Sequence, residues 1–291
     1  MKNPVAVAGL VLALLLPRVS AAEETTTGPA VVAAAGAPAA LASWPATNRV
    51  IRLGLGHLQR HYTEYDDQGI TVDGIFDEER GRIAGIAGLV RWQGEARPDT
   101  RLGLLLEGEL RIHAGDTQYR GYLIPAGGGA WIPYNGETSN LIIDTRLRAG
   151  LVLCCQRFQI APFVELRTQD WYRDLNQYAE VYWHTAVAAG VFAQWRLGGR
   201  WVLEADAATG HVLLATLDAP FDGFPQDLGN EPLQSLGAGL RWQAGDRNGI
   251  TLQWRRDELA YGKSAVVVSG MYEPDSDTVQ ESVQLALEFP F

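Results

Sequence analysis

The chain has 291 residues, with 24 Lys and Arg against 34 Asp and Glu and a formal charge of −10, a balance that argues against nucleic acid, whose phosphates attract basic surfaces. Nine Trp, ten Tyr and 32 Gly accompany only two lysines, Lys2 and Lys263, so nearly every basic group is an arginine. The two cysteines, Cys154 and Cys155, are adjacent and cannot staple distant parts of the chain: free thiols at a turn or a vicinal disulfide are the readings open to them, and no metal site is expected.

In chain order, Lys2, the apolar run Val5 to Leu16 and the small residues Val19 to Ala22 form a secretory signal peptide over residues 1–22. The run is shorter than the ~20 apolar residues a spanning helix needs. Losing Lys2 and Arg18 with the signal takes the charge from −10 to −12. Residues 23–43 are rich in Ala, Thr, Pro and Gly and cannot bury enough surface to fold, so they read as a flexible periplasmic leader. The folded domain covers 44–291. No later stretch is long and apolar enough for a transmembrane helix, so a membrane form of this chain must be a closed barrel that satisfies its own backbone.

From Trp44 onward about ten segments of roughly 10 to 18 residues alternate apolar and polar side chains, the pattern of a transmembrane strand. Apolar sets recur at every second residue: Leu53 and Leu55; Ile86 and Val90; Leu102, Leu104 and Leu106; Leu147 and Leu151; Val164 and Leu166; Val187 and Val191; Leu203; Leu236 and Leu240; Ile250 and Leu252; Leu285 and Leu287. The fold class is all-β, a transmembrane antiparallel up-and-down β-barrel of about ten strands, with twelve possible. Short connections at Glu95 to Asp99, Cys155 to Arg157, Gly198-Gly199 and Gly245 to Asn248 alternate with long ones at Asp66 to Arg80, Gly115 to Ser139, Asp218 to Gln234 and Lys263 to Thr278. Short turns face the periplasm in such barrels, which places both termini there. Trp92, Trp195, Trp201, Trp242 and Trp254 beside the short turns suit an interfacial girdle.

The last thirteen residues, VQESVQLALEFPF, end on Phe289 and Phe291 with alternate apolar positions before them. This stretch resembles the terminal strand of bacterial outer-membrane β-barrels, and the resemblance implies recognition by the barrel-assembly machinery. The segments GDTQYRGY, NLIIDTRLRAG, DWYRDL and YAEVYW are similar to strand-loop-strand pieces of uncharacterised proteobacterial outer-membrane barrels, loosely akin to the opacity and porin-like groups. They imply a bacterial outer-membrane location, with outer-membrane lipids and lipopolysaccharide as neighbours.

With apolar faces toward lipid, alternation sends Arg52, Arg91, Glu107, Glu109, Arg111, Asp144, Arg146, Arg148, Glu165, Arg167, Glu180, Glu204, Asp206, Arg241, Arg255, Asp257 and Glu288 into the lumen. The interior of a ten-stranded barrel is narrow, and guanidinium forks bridge several carboxylates at once. An ionic network closing the lumen is therefore expected. A narrow porin-like channel for small solutes is the alternative.

No constellation with catalytic spacing stands out. A ten-stranded barrel of this size is similar to the omptins, surface proteases whose resemblance implies two aspartates facing an Asp-His pair near the outer rim. The counterparts to test are Asp66-Asp67 and Asp206 with His211; a five-residue separation puts the latter two on opposite strand faces. Beside His57, His61, His113, His184 and His211 no serine sits two residues away, as a Ser-His hydrolase pair on one strand face would have it, and Gly127 to Gly129 lack the Lys of a phosphate loop. The external loops carry acidic groups: Asp66, Asp67, Asp73, Asp77, Glu78 and Glu79 in the first, Asp218, Asp222, Asp227 and Glu231 in the fourth, Glu273, Asp275 and Asp277 in the fifth. Tyr119, Tyr122, Trp131 and Tyr134 in the second form an aromatic surface suited to sugars or proteins. The expected function is a surface structural or binding protein with no cofactor and an external ligand the sequence does not name; a rim-sited hydrolase is the further alternative.

Overall fold

The computed structural model describes residues 43–67, 69–95, 102–123, 130–154, 156–175, 178–219, 225–244, 248–266 and 272–291. The signal peptide, the leader up to residue 42, Cys155, Asp222 and the Gly127 to Gly129 tip lie outside the described residues. A single helical turn, α1 (Trp44–Thr47), precedes β1 (Val50–Tyr65), β2 (Ile75–Gln93), β3 (Leu102–Leu123), β4 (Ile132–Cys154), β5 (Phe158–Leu175), β6 (Tyr178–Gly198) and β7 (Trp201–Asp218). After the two-residue β8 (Gln226–Asp227) come β9 (Pro232–Gln243), β10 (Gly249–Tyr261) and β11 (Ser276–Pro290). β8 only extends the end of β7, leaving ten long strands in the order β6-β5-β4-β3-β2-β1-β11-β10-β9-β7. The pairing of β6 with β7 closes the ring, and every neighbour is antiparallel. This is a closed up-and-down β-barrel, in which no strand edge is left unpaired.

The period-two alternation sets which side chains go where. On β1 the even-numbered Val50, Arg52, Leu58, Arg60, Tyr62 and Glu64 are buried, while Leu53 and Leu55 on the other face are 57% and 70% exposed. Leu104, Leu151, Val164, Val191, Leu236, Leu252 and Leu285 continue that outward apolar band around the barrel. A barrel made for water would place polar residues there.

The strands outrun the apolar band. β3 has 22 residues and β4 has 23, against the ~9–11 a tilted strand needs to cross a bilayer. Beyond Ala114 and Leu141 the outward residues turn polar, with Asp116, Gln118 and Arg120 on β3 and Asn135, Glu137 and Ser139 on β4, yet the ladder runs on to Leu123 opposite Ile132. The long second loop expected over Gly115 to Ser139 is thus mostly strand, with only residues 124–131 connecting. Polar outward residues there mark the end of the apolar band, not a chain reversal. In the same way β2 begins at Ile75, β9 at Pro232 and β11 at Ser276, each earlier than the expected loops allow. The alternation of short and long connections also breaks: residues 94–101 between β2 and β3 match 124–131 between β3 and β4 in length, and Leu175 pairs with Tyr178, so two residues join β5 to β6.

Close approach of strands fixes the register at Gly210. A Cβ there would lie 2.0 Å from the Val187 carbonyl oxygen and 2.7 Å from the Ala188 Cβ, both on β6. Gly210→Ala therefore has to push β6 and β7 apart beside the bulge at Thr185/Ala186. We expect the midpoint of urea unfolding in detergent to fall by an amount worth about 1–3 kcal/mol, with the native barrel still forming.

Candidate functional site

The lumen is the only place where polar chemistry converges on a large scale among the described residues, and it is arranged in three tiers. At the end carrying α1, Trp44 is buried under the Arg196 guanidinium, 4.0 Å from its ring centroid, and Arg241 donates to the Thr47 carbonyl. Above α1 lies a layer of carboxamides. Asn48 donates to Gln93 and to Gln194, each at 2.7 Å, Gln93 donates to Gln159 at 3.1 Å, and Gln194 returns a bond to Asn48 at 3.1 Å. Amides both donate and accept, so this layer satisfies its neighbours in either direction.

The middle tier is ionic. Glu204 on β7 accepts two bonds from Arg52 on β1, at 2.9 and 2.7 Å, one from Arg91 on β2 at 2.9 Å, and one from Gln194 at 2.7 Å. Arg52 also reaches Glu288 at 2.8 Å, and Arg241 pairs with the same carboxylate. Glu107 joins Arg91 at 2.7 Å to Arg148 at 3.4 Å, and Arg148 goes on to Glu165 at 2.5 Å and Asp206 at 3.3 Å. Arg146 and Arg167, on β4 and β5, each hold both Asp144 and Asp257, the latter across the lumen on β10 at 2.7 and 3.2 Å. Arg111 pairs with Glu109 at 2.8 Å, and Arg255 with Asp206 at 3.5 Å. Eight arginines (52, 91, 111, 146, 148, 167, 241, 255) thus meet eight carboxylates (107, 109, 144, 165, 204, 206, 257, 288). All the lumenal residues that alternation picked out lie in this tier except Glu180. A cavity of about 20 Å³ between Arg148, Asp206, Arg255, Gly237 and Ser282 has room for about one water.

The third tier, at the end remote from α1, centres on Arg173 of β5. Its guanidinium contacts Asp77 at 2.8 Å, Glu180 at 2.7 Å, Glu64 at 3.7 Å and also Glu79. Tyr62 donates to Glu64 at 2.6 Å, and Tyr182 donates to Glu273 at 2.6 Å. Arg60 lies flat on Trp171, 3.6 Å from the ring centroid, and Trp171 stacks on Tyr182 at 4.6 Å. Alternation did not extend to Arg60, Glu64 and Arg173, because the outward faces on which it was judged are polar at that height. Carrying the parity of Arg52 onward to 60 and 64, and that of Arg167 to 173, would have found them. Asp77, Glu79 and Glu273, expected as loop acids, are buried in the lumen; Asp77 and Glu79 belong to β2, on the same parity as Arg91.

The remaining expected positions separate. Tyr119 is a buried inward residue of β3, 3% exposed, so it is not part of an open loop surface. Tyr122 and Trp131 do stay together, with Phe76 of β2 stacked on Tyr122 at 6.1 Å and edge-on to Trp131 at 4.7 Å; Tyr134 faces Tyr119 at 6.0 Å. Phe289 and Phe291 are exposed on the outside. Asp206 points inward and His211 is exposed on the opposite face, so they form no dyad. His184 bonds the Tyr261 hydroxyl at 2.8 Å, and His61 sits between Glu78 and Arg80. Asp67 is held by Lys263 and Tyr272, which keep its carboxyl below the usual range. Among the described residues no three His, Cys, Asp or Glu converge as a metal requires.

No family model matches the chain, and no curated protein matches its sequence. Solved structures match its fold. The outer membrane protease OmpT from Escherichia coli superposes with a TM-score of 0.56 at 9% identity, covering 87% of this chain and 99% of that one. The toluene transporter TodX of Pseudomonas putida gives 0.29 at 12% identity over 85% and 92%, and the attachment invasion locus protein Ail of Yersinia pestis gives 0.30 at 12% over 82% and 98%. The fold is that of bacterial outer-membrane β-barrels.

Because Glu204 answers both Arg52 and Arg91, removing its charge takes one of two carboxylate partners from each of two buried guanidinium groups. Glu204→Gln is expected to cost about 3–5 kcal/mol, read as a lower urea midpoint, whereas Glu258→Gln at the exposed Arg256 pair changes stability by about 0–1 kcal/mol.

Proposed function

We propose that the protein is an integral component of the bacterial outer membrane, secreted by its signal peptide, with both termini on the periplasmic side and the Arg173 tier at the cell surface. Its lumen is closed, and it acts outward as a surface structural or binding protein. The observation that carries this reading is the set of ion pairs that cross the lumen, Arg52 to Glu204, Arg146 to Asp257 and Arg148 to Asp206, which join strands that are not neighbours. A hydrated ion would have to displace charges paired across the bore, which supports a closed lumen. The aromatic group Phe76, Tyr122 and Trp131, beside the exposed Arg120–Asp73 pair, supplies the surface for an external ligand. Phe289 and Phe291 suit recognition by the assembly machinery, and the exposed leucine band suits outer-membrane lipid and lipopolysaccharide.

The protease reading suggested by fold alone lacks its chemistry here. The nearest rim carboxylates, Asp77 and Glu79, are both clamped by Arg173, and His184 is engaged with Tyr261 rather than with them. Single-channel recording of the refolded barrel in a planar bilayer tests the proposal. The wild type should insert without discrete current steps, and an Arg146→Ala, Arg148→Ala double variant should admit small ions. Reproducible steps from the wild type would overturn the closed lumen and make the inward charges a selectivity filter.

A further inference from the structure

The tier around Arg173 holds more acid than its bases can answer. Glu64, Asp77, Glu79, Glu180 and Glu273 face Arg173 and Arg60, five carboxylates against two guanidinium groups, whereas the tier beneath is balanced. Four of these acids project from β1, β2 and β6. Glu273 does not: it belongs to the connection between β10 and β11, and it reaches back into the barrel.

Its anchoring is specific. One carboxylate oxygen accepts from Tyr182 at 2.6 Å and lies 3.3 Å from the Tyr62 hydroxyl, whose single proton goes to Glu64 at 2.6 Å. The backbone N–H of Glu273 donates to Ser264 Oγ at 2.8 Å, the Ser264 N–H donates to the Glu273 carbonyl at 3.0 Å, and Ser264 Oγ donates to Gln226 of β8 at 2.7 Å. Seating this one carboxyl therefore holds both arms of the connection, and β8 with them, against the barrel mouth.

We propose that Glu273 is a proton-operated latch. Protonated, it rests between the two phenols, its carbonyl oxygen accepting from Tyr182; ionised, it is driven out by the carboxylates already there. The acids around it are Glu64 from β1, Asp77 and Glu79 from β2, and Glu180 from β6, of which Glu180 and then Asp77 repel its charge. Against them stand only Arg60 and Arg173 among the described residues. Tyr119 of β3 and Tyr261 of β10 are neutral neighbours, and Lys263 and Asp275 on the arms are exposed and directed away. Burial, and next to it Glu180, push the Glu273 carboxyl from 4.5 up to about 7, with Tyr182 and Arg173 opposing. For a carboxyl raised in the seated state, the stabilisation is full below 4.5 and is lost as pH rises through about 7. The unlatched fraction should therefore grow about tenfold per pH unit between these values and level off above them.

A spin label on the arm reads the latch directly. Ala265→Cys in a Cys154→Ser, Cys155→Ser background, refolded in detergent as the full chain, should show a mobile component that grows from pH 4.5 to 7.5. Glu273→Gln, which still accepts from Tyr182 but carries no charge, should stay immobile throughout. Glu273→Ala should be mobile at every pH. A wild-type line shape that does not change with pH overturns the proposal. So does a Glu273→Gln variant that follows the wild-type curve, since another acid would then be the one titrating.

Discussion

A charge that leaves water is costly unless it meets an opposite charge, and in this barrel lumenal ion pairs reach all ten long strands. Closing ten strands leaves a narrow bore, and alternation sends charged side chains into it. What makes the arrangement tolerable is the guanidinium, which stays charged, spreads five donors over a flat fork and serves carboxylates on two or three strands together. Arg146 and Arg167 each touch both Asp144 and Asp257, and Glu204 answers Arg52 and Arg91. Lysine, with three donors on one nitrogen, lacks that flat fork, and the only lysine of the barrel domain lies outside the lumen.

Such a core is better understood as a device for specificity than for stability. Ion pairs in a dry interior barely recover the cost of desolvating both partners, and packed leucine could do as well. What leucine could not do is fix register. A one-residue slip of any strand would turn its carboxylates toward lipid and its leucines into the bore, and every cross-lumen partner would be stranded. The amide layer under the ionic tier has a related role. It lies between charged groups above and the backbone of α1 below, and its groups donate and accept in whichever direction the neighbour requires.

Period-two patterning made the fold legible, and the same rule carried the middle tier of the site, since Arg52, Glu107, Arg148, Glu204 and Asp257 could be placed inward from the leucines beside them. It failed where the leucines stopped. Above the apolar band both faces of a strand are polar, so patterning cannot tell a strand standing in water from a loop. Gly115 to Ser139 was misread for that reason, and Asp77 and Glu79 with it. Glu273 was hidden for a different reason: no alternation governs a connection, and only the three-dimensional return of its backbone toward Tyr62 and Tyr182 brings it inside. The tight join at Leu175 and Tyr178 was invisible because neither residue type nor spacing there announces a turn.

The likeness to a protease barrel at 9% identity is a likeness of fold alone. A closed ring of ten long strands specifies a wall and two mouths, and the wall constrains only the alternation of side chains, not their identity. What the mouth does is decided by the few residues that face it. Here one arginine occupies the position between the two rims and takes hold of acids from β1, β2 and β6 at once. A carboxylate held by a guanidinium is a poor base, because the cation stabilises the charged form it would give up on accepting a proton. The Arg173 end of this barrel is built to hold its own groups together.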